Sequence, residues 1–411
     1  MTLPSAEQRQ AGRANLAFLV FLATMTSIVA LTIDAILPAL DAISDDLGFA
    51  HPNDRQLLIF AVFAGLGVSQ LVFGPLSDAI GRKRAALIGW GLYLAGTVIA
   101  LTAVAPWMMF AGRALQGIGA GGPRLVATAM VRDLYEGRAM ARILSLVMTI
   151  FMAVPMIAPL IGWWLEALGG WRAIFGLYLT MAMIAAVWYV VGVPETLAPE
   201  RRRPLAVAPL LAAMREVLTN RTAMAYTGAA ICTFAPFAVF LATAQQVLEE
   251  LYGLGAWFPY AFGALAFAFA LSSMANARLV MRFGMRTLSR TGMAALAGIG
   301  GLASLITLVP GIDGVPPLWV FMALMGGIFT CVGLLFANLN ALALQPLGHI
   351  AGTASAVVMS LSTLGSAPLG YAIASRFDGS LTPMFTGFLI LGLVGAGCLA
   401  LAEARLRAPS T

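Results

Sequence analysis

The chain has 411 residues, of which 60% are hydrophobic and only 10% are charged, and its mean hydropathy is +0.90. No water-soluble fold could bury so many apolar side chains, so the composition excludes a soluble globular protein and indicates a chain embedded in lipid. The net charge of +6 does not indicate a nucleic-acid partner, because the cations are spread over short loops and not clustered on a soluble domain.

The apolar residues form long unbroken runs without the alternation of a transmembrane β-strand, so the sequence predicts helical spans. At about 20 residues per span, the chain has room for roughly twelve. The first run is too long for a signal-peptide core and lacks a clear cleavage site, so we expect it to be retained. The predicted spans cover residues 16–40, 57–76, 85–104, 107–130, 143–165, 171–193, 223–246, 256–277, 289–309, 316–339, 352–374 and 383–403.

The cations of the loops alternate between two faces, nineteen on one face against three on the other. The positive-inside rule makes the richer face cytoplasmic, which places both termini inside and requires an even number of spans. The cytoplasmic set is Arg9, Arg13, Arg82, Lys83, Arg84, Arg132, Arg138, Arg142, Arg201, Arg202, Arg203, Arg215, Arg221, Arg278, Arg282, Arg286, Arg290, Arg405 and Arg407, and the outer set is Arg55, Arg172 and Arg376.

Residues 194–222 are the long hydrophilic interruption, and they divide the chain into six-helix halves at 1–193 and 223–411, joined by a cytoplasmic loop. Each half carries a related motif between its second and third spans: GPLSDAIGRKR at 74–84 and ARLVMRFGMR at 277–286. The second copy keeps the turn glycine and the cations but has Met281 opposite Asp78. Duplication of a six-span unit predicts two pseudosymmetric halves, an arrangement typical of transporters with a substrate site near the midplane.

Within the first motif, Gly74 permits close approach of a helix and Gly81 shapes the turn. Asp78 lies beside Arg82 and Arg84 at a helix end, where a carboxylate can favour one packing of the halves over another. The cations alone would serve topology, but topology does not require a glycine and a carboxylate at these positions.

Three ionisable side chains, Asp34, Arg113 and Arg124, fall well within the predicted spans. A charge there costs about 2.5 to 3.5 kcal/mol on insertion scales, so each requires a partner or a water-filled cavity. Arg113 is followed by Gln116 and small residues, and it is a candidate for such a buried partner or cavity. The alternative is that its side chain extends outward to the membrane interface. Asp34 suits a proton carrier because removal from water disfavours the ionised carboxylate, although it could also belong to the outer interface. Arg124 could line the cavity or pair with a cytoplasmic-side group, and Pro123 beside it is a candidate helix break.

Span 5 carries VPMIAPLIGWW, in which Pro155 and Pro159 are expected to bend the helix and Gly162 to leave room for a neighbour, as suits a gating helix. A flexible, weakly polar cavity suits promiscuous binding of apolar drugs, although most methionines and phenylalanines serve packing. The candidate cavity residues are Met25, Tyr93, Gln116, Met148, Phe151, Phe234, Phe237, Gln245 and Asn338.

The motif GPLSDAIGRKR, the runs RALQGIGAGG and VATAMVRD, the pieces APLIG, GWRAIF and PETL, and AGTASA in span 11 together resemble the major facilitator superfamily. More narrowly, they resemble its twelve-span drug:proton antiporters of the Bcr/CflA (bicyclomycin resistance) type. The resemblance implies a fold of two six-helix halves, a conformational latch at residues 74–84, and a part for Arg113 in proton coupling. Similar exporters carry an acidic residue in the region of Asp34.

The sequence contains no P-loop and no recognisable nucleophile setting, so we expect no enzyme activity and no cofactor, with energy drawn from the proton gradient. Its three cysteines lie in apolar runs and indicate neither a disulfide nor a metal site. The leading hypothesis is proton-coupled efflux of small amphipathic drugs or antibiotics by a monomer in a bacterial inner membrane, with no nucleic-acid partner. The alternatives are export of a metabolite such as an amino acid or sugar, and a non-transporting receptor derived from a transporter.

Overall fold

A computed structural model describes residues 16–202 and 207–407 of the chain. Twelve long helices, α1–α12, correspond to the predicted spans, and shorter helical segments are named by their residues. The long helices are α1 (Leu16–Asp34), α2 (Leu57–Ile80), α3 (Arg82–Leu101), α4 (Pro106–Leu134), α5 (Gly137–Gly169), α6 (Trp171–Gly192), α7 (Arg221–Gln245), α8 (Phe258–Phe283), α9 (Met285–Thr307), α10 (Leu318–Leu344), α11 (Ala351–Ala374) and α12 (Thr382–Arg407).

Helix length and apolarity match a membrane-spanning chain. Among the described residues, nine segments are long and apolar enough to cross a membrane, and one of them, Leu318–Ala374, contains both α10 and α11. Helices α4 and α9 are less apolar, but their 29 and 23 residues suffice for about 30 Å of hydrocarbon at about 1.5 Å per residue. The predicted all-α, twelve-span class is therefore confirmed.

Helix α1 ends earlier than the predicted boundary at residue 40. It stops at Asp34 and is followed by a 3₁₀ turn, Leu37–Ala39, and a short helix, Leu40–Leu47. Pro38 accounts for the break, because its ring clashes with the carbonyl four residues earlier and it has no N–H to donate there. That carbonyl belongs to Asp34, so the proline places the break directly after the acidic residue.

The expected break at Pro123 was wrong, because α4 continues through it to Leu134. Gly89 of α3 faces this position, and a Cβ there would lie 2.7 Å from the proline ring. A glycine on the neighbouring helix thus leaves room for the ring, and packing against α3 maintains the helix.

The described chain divides by its contacts into two units. The first unit runs to Ala50 and resumes at Ala61, so it holds α1, most of α2, and α3–α6. The second unit consists of His51–Phe60 and the chain from Val207 onward, so it holds α7–α12 and the first turn of α2. Within the predicted central loop, the described part contains a 3₁₀ turn, Pro199–Arg201, and a helix, Val207–Thr219.

The two related motifs make the same turn. Gly81 separates α2 from α3 with φ of 97°, and Gly284 separates α8 from α9 with φ of 77°. Both values lie in the region that favours glycine over residues with a Cβ. The shared conformation supports the interpretation of the second motif as a copy of the first.

Some of the loop cations counted above are not described by the structure. Arg9, Arg13 and Arg203 lie outside the described residues, as do the side chains of Arg405 and Arg407. The placement of both termini on the cytoplasmic side stays a prediction.

Candidate functional site

A buried polar cluster in the first unit is built around Arg113 of α4. Its guanidinium is fully buried; Nη2 donates to the backbone carbonyl of Thr32 at 2.9 Å, and Nη1 donates to Gln116 Oε1 at 3.0 Å. Gln116 lies one turn after Arg113 on the same helix, so the local geometry of α4 brings the two together. The arginine therefore stays inside the helix bundle and does not snorkel to the interface.

The cluster continues from Gln116 into α3 and α1. Gln116 Nε2 donates to Thr97 Oγ1 at 2.9 Å, and that hydroxyl donates to the carbonyl of Tyr93 at 2.7 Å. The Tyr93 hydroxyl lies 2.7 Å from Thr32 Oγ1. Arg113, Gln116, Thr97, Tyr93 and Thr32, here called the Arg113 cluster, thus connect three helices through hydrogen bonds, as buried polar groups require.

The carbonyl of Thr32 can accept from other helices because α1 ends two residues later. The last carbonyls of a helix lack an intrahelical donor and must be satisfied from elsewhere. Besides Arg113, Tyr178 of α6 reaches this end, since its hydroxyl donates to the Leu31 carbonyl at 3.1 Å and lies 3.4 Å from that of Thr32. The break after Asp34 therefore creates the acceptor that holds Arg113.

Asp34 is the last residue of α1, and its side chain is only 4% exposed. The described ion pairs include none at its carboxyl group. Arg113 is held two residues away, by the backbone of Thr32. The two residues that the sequence singled out for proton coupling thus lie at the same end of α1 without forming an ion pair.

Arg124 occupies a different environment on α4. Its side chain is half-buried, and its guanidinium carbon lies 5.4 Å from the ring centroid of Phe151 on α5. No carboxylate among the described residues lies within 4.0 Å of it. The structure therefore brings together two residues, Arg124 and Phe151, that the sequence analysis had considered separately.

A second polar network surrounds Arg82 at the turn between α2 and α3. The guanidinium donates to Asp133 Oδ2 at 2.9 Å, to Ser77 Oγ at 2.8 Å and to Asp78. Arg84 is exposed, and a Cβ at Gly74 would have nothing within 4 Å. Of the predicted latch residues, Asp78 and Arg82 thus form the polar network.

Glu195 closes the same turn from the segment after α6. Its carboxylate accepts from the backbone N–H of Arg82 at 2.9 Å and of Lys83 at 3.2 Å. These are the first N–H groups of α3, which have no partner within the helix. Asp133 and Glu195 were not singled out from the sequence, although each stands in a quoted motif, VRD and PETL.

The α5 residues that the sequence singled out lie in the first unit. Pro155 and Pro159 lie inside the helix, and a Cβ on Gly162 would overlap the carbonyl of Ala35, directly after Asp34. Met148 is 37% exposed, whereas Met25 is fully buried. Gly162 therefore allows α5 to pack against the break that follows α1.

The other candidate cavity residues belong to the second unit. Phe234 and Phe237 of α7 have ring centroids 5.6 Å apart, and Phe234 also contacts Phe336 at 5.7 Å. Asn338 Nδ2 donates to Asn276 Oδ1 at 2.8 Å, which joins α10 to α8. Gln245 Nε2 lies 3.5 Å from Glu249 Oε2. This unit provides an aromatic cluster and an amide pair.

Sequence reasoning missed a polar group around the start of α2, within the second unit. Gln56 Nε2 donates to Gln246 Oε1 at 2.7 Å, and Gln246 Nε2 donates to Asn53 Oδ1 at 2.8 Å. Arg55 pairs with Glu250 at 2.6 Å. Gln246 and Glu250 stand on a π-helical turn, Gln246–Leu251, which follows α7 and which no sequence pattern indicated.

A bundle of membrane-spanning helices with a duplicated turn motif and buried charges defines the class of multi-pass membrane transport proteins. The profile of the Major Facilitator Superfamily matches residues 18–370. The D-xylose-proton symporter has the same fold, with a TM-score of 0.71 at 15% identity over 93% of this chain and 97% of the symporter.

Three bacterial relatives cover nearly the whole chain. The bicyclomycin resistance protein homolog of Haemophilus influenzae is 25% identical over 90% of this chain and 92% of the relative. The multidrug resistance protein D of Escherichia coli is 27% identical over 92% and 94%, and a chloramphenicol resistance protein of Pseudomonas aeruginosa is 31% identical over 88% and 85%.

The chain belongs to the Major Facilitator Superfamily. The narrower resemblance to the Bcr/CflA type is confirmed by the match to the bicyclomycin resistance homolog over 90% of this chain. It is accordingly a transporter and not an enzyme, and it takes a small-molecule substrate through a membrane.

Proposed function

We propose that this protein exports small amphipathic drugs or antibiotics from the cytoplasm in exchange for protons, by alternating access of its substrate site to the two sides of the membrane. The observation that carries the proposal is Asp34, a buried carboxyl at the end of α1 with no ion-pair partner among the described residues. The resistance names of the relatives support a drug or antibiotic as the substrate.

Asp34 is the proposed proton carrier. Its carboxyl group takes a proton when the site faces the acidic side and releases it on the other side, where substrate takes its place. A carboxyl without a fixed cation is suited to this exchange, since a permanent ion pair would hold it ionised. Each proton that crosses contributes about 2.3 kcal/mol per 100 mV of membrane potential.

Arg113 is proposed as a positioning residue for this carrier. Its Nη2 donates to the Thr32 carbonyl, two residues before Asp34, and so ties α4 to the end of α1, while Nη1 donates to Gln116 on α4 itself. An arginine suits this task because its planar fork donates to two acceptors at once, which a lysine cannot do with the same geometry.

The turn at residues 74–84 is proposed as the cytoplasmic latch. Arg82 connects Asp78 to Asp133 near the end of α4, and Glu195 holds the first N–H groups of α3. This network ties the cytoplasmic ends of α2, α3 and α4 to the segment that follows α6. We further propose that the protein works as a monomer in a bacterial inner membrane, with both termini cytoplasmic and the halves 1–193 and 223–411 joined by the loop 194–222.

The test uses inside-out vesicles whose lumen is acidified by respiration and monitored with a quenched acridine dye. Chloramphenicol and other antibiotics are expected to reverse the quenching in the wild type, because drug entry releases protons from the lumen. Asp34→Asn is expected to abolish this response, since the amide cannot carry a proton. Arg113→Lys is expected to reduce it at least ten-fold.

The matched control is Asp45→Asn, which removes an exposed carboxyl from the neighbouring helix Leu40–Leu47 and should leave the response unchanged. A normal response in well-expressed Asp34→Asn would refute the carrier role. If no antibiotic but an amino acid or sugar reversed the quenching in the wild type, drug export would be refuted in favour of metabolite export.

A further inference from the structure

Arg124 lies outside the Arg113 cluster, and its position on α4 carries a further inference. It lies eleven residues after Arg113, about three helical turns, so the two side chains leave α4 within about 20° of the same direction. The separation along the axis is about 16 Å. One face of α4 therefore carries two cations, one deep in the Arg113 cluster and one nearer the cytoplasmic end.

Among the residues that the structure describes, no carboxylate lies within 4.0 Å of Arg124. The neighbouring part of α5, residues 144–160, has no charged side chain, and neither has α1 before Asp34. Among the three ionisable residues well within the spans, two are arginines and one is an aspartate, which leaves a net charge of +1 when Asp34 is ionised and +2 when it is protonated. The membrane-spanning part of the first unit is therefore net positive in both states of the carrier.

The exposed part of the Arg124 side chain cannot face lipid at low cost. A guanidinium among acyl chains costs about 2.5 to 3.5 kcal/mol on insertion scales. The structure instead places it over the ring of Phe151, which is also half-buried. A half-buried guanidinium whose carbon lies 5.4 Å from the centroid of a half-buried ring offers N–H donors beside an aromatic surface, the combination that binds a planar group carrying a carboxylate or another strong acceptor.

Resting on the proposed export function, we infer that Arg124 and Phe151 form a subsite for the electron-rich or anionic end of the substrate, and that the transporter selects neutral and anionic amphipathic molecules over lipophilic cations. The positive interior repels a cation in either protonation state of Asp34. Phe151 stacks on an aromatic group while the guanidinium donates to its acceptor.

The experiment compares two probes of the same shape and opposite charge, tetraphenylborate and tetraphenylphosphonium. Equilibrium binding of each is measured to the purified protein in nanodiscs, with empty nanodiscs subtracted for partition into lipid. The wild type is expected to bind the anion at least ten-fold more tightly than the cation. Arg124→Gln is expected to weaken binding of the anion about ten-fold and so to reduce the preference for the anion over the cation. Arg124→Lys should retain part of that preference, and Phe151→Leu should weaken binding of both probes.

The matched control is Arg142→Gln, which removes an exposed arginine near the start of α5 and should change neither affinity. Equal affinity of the wild type for both probes, or unchanged anion binding in Arg124→Gln, would overturn the inference, and thermal unfolding of each variant shows whether it is folded. Because binding needs no proton gradient, the outcome is independent of the vesicle assay. If antibiotics drove no proton exchange by the wild type in vesicles while the purified protein still preferred the anionic probe, the export function would be refuted and the subsite would stand.

Discussion

At the scale of single residues, the protein places its polar groups where a helix end supplies an acceptor or a donor. Arg113 is held by the carbonyl of Thr32 near the end of α1, and Glu195 is held by the first N–H groups of α3. The first N–H groups and the last carbonyls of a helix have no partner within the helix, and in hydrocarbon an unsatisfied backbone group costs several kcal/mol, so helix ends are strong binding positions for side chains. Both candidate networks of the first unit use this property.

The two turn glycines give a matched test of the Glu195 contact. Gly81→Ala and Gly284→Ala introduce a Cβ at a similar positive φ, but only at Gly81 would the new atom overlap the Glu195 carboxylate, since nothing lies within 4 Å at Gly284. We expect Gly81→Ala to destabilise the protein by about 1 to 3 kcal/mol more than Gly284→Ala, the cost of displacing a charged hydrogen-bond partner. Thermal unfolding in detergent measures the difference, and equal losses would show that Glu195 contributes nothing at this turn.

At the scale of helices, close approach between α3 and α4 is what lets short side chains connect them. Gln116 reaches Thr97 directly, because small residues on both helices bring the backbones together. A Cβ on Gly119 of α4 would overlap the backbone of Tyr93 on α3. The Arg113 cluster therefore depends on the spacing of this helix pair as much as on its own residues.

Gly119→Ala tests that dependence. The added methyl group must push α3 away from α4, which we expect to cost about 1 to 3 kcal/mol of stability and to reduce proton exchange by lengthening the Gln116–Thr97 contact. Gly91→Ala on α3 is the control, because its Cβ would meet nothing within 4 Å and should leave stability unchanged or slightly higher. Thermal unfolding and the vesicle assay report the two effects, and wild-type behaviour of Gly119→Ala would contradict the packing argument.

At the scale of the whole molecule, charge movement follows from the number of interior carboxyls. Asp34 is the one acidic residue well within the predicted spans, so one proton is expected to cross in each transport cycle. Export of a neutral drug then moves one net charge, and export of a monovalent anion moves two. Transport should accordingly respond to membrane potential as well as to the pH difference.

Voltage dependence tests this stoichiometry. In proteoliposomes with a fixed pH difference and a potassium potential set by valinomycin, each 100 mV should change the steady-state gradient of a neutral drug about fifty-fold, since one charge is worth about 2.3 kcal/mol. A drug gradient that does not change with the membrane potential would exclude a stoichiometry of one proton per molecule of neutral drug.

Much of the fold could be predicted from the sequence because the relevant properties are local. Span length and apolarity follow from the thickness of the bilayer, and the glycine turn of residues 74–84 is encoded by one continuous sequence motif. The cost of a buried charge likewise identifies Asp34, Arg113 and Arg124 without any contact being known. The sequence by itself therefore determined the class of protein, the number of spans and the buried charged residues that must be stabilised or serve a function.

Only the tertiary structure decided what those residues contact. The acceptor of Arg113 is a backbone carbonyl on another helix, the partner of Arg82 at Asp133 lies 51 residues away, and Phe151 meets Arg124 from a different helix. Such pairings depend on how helices distant in sequence pack, and no local pattern contains that information. Pro123 shows the same limit, because its tolerance in α4 depends on a glycine of α3 that no rule applied to α4 alone could include.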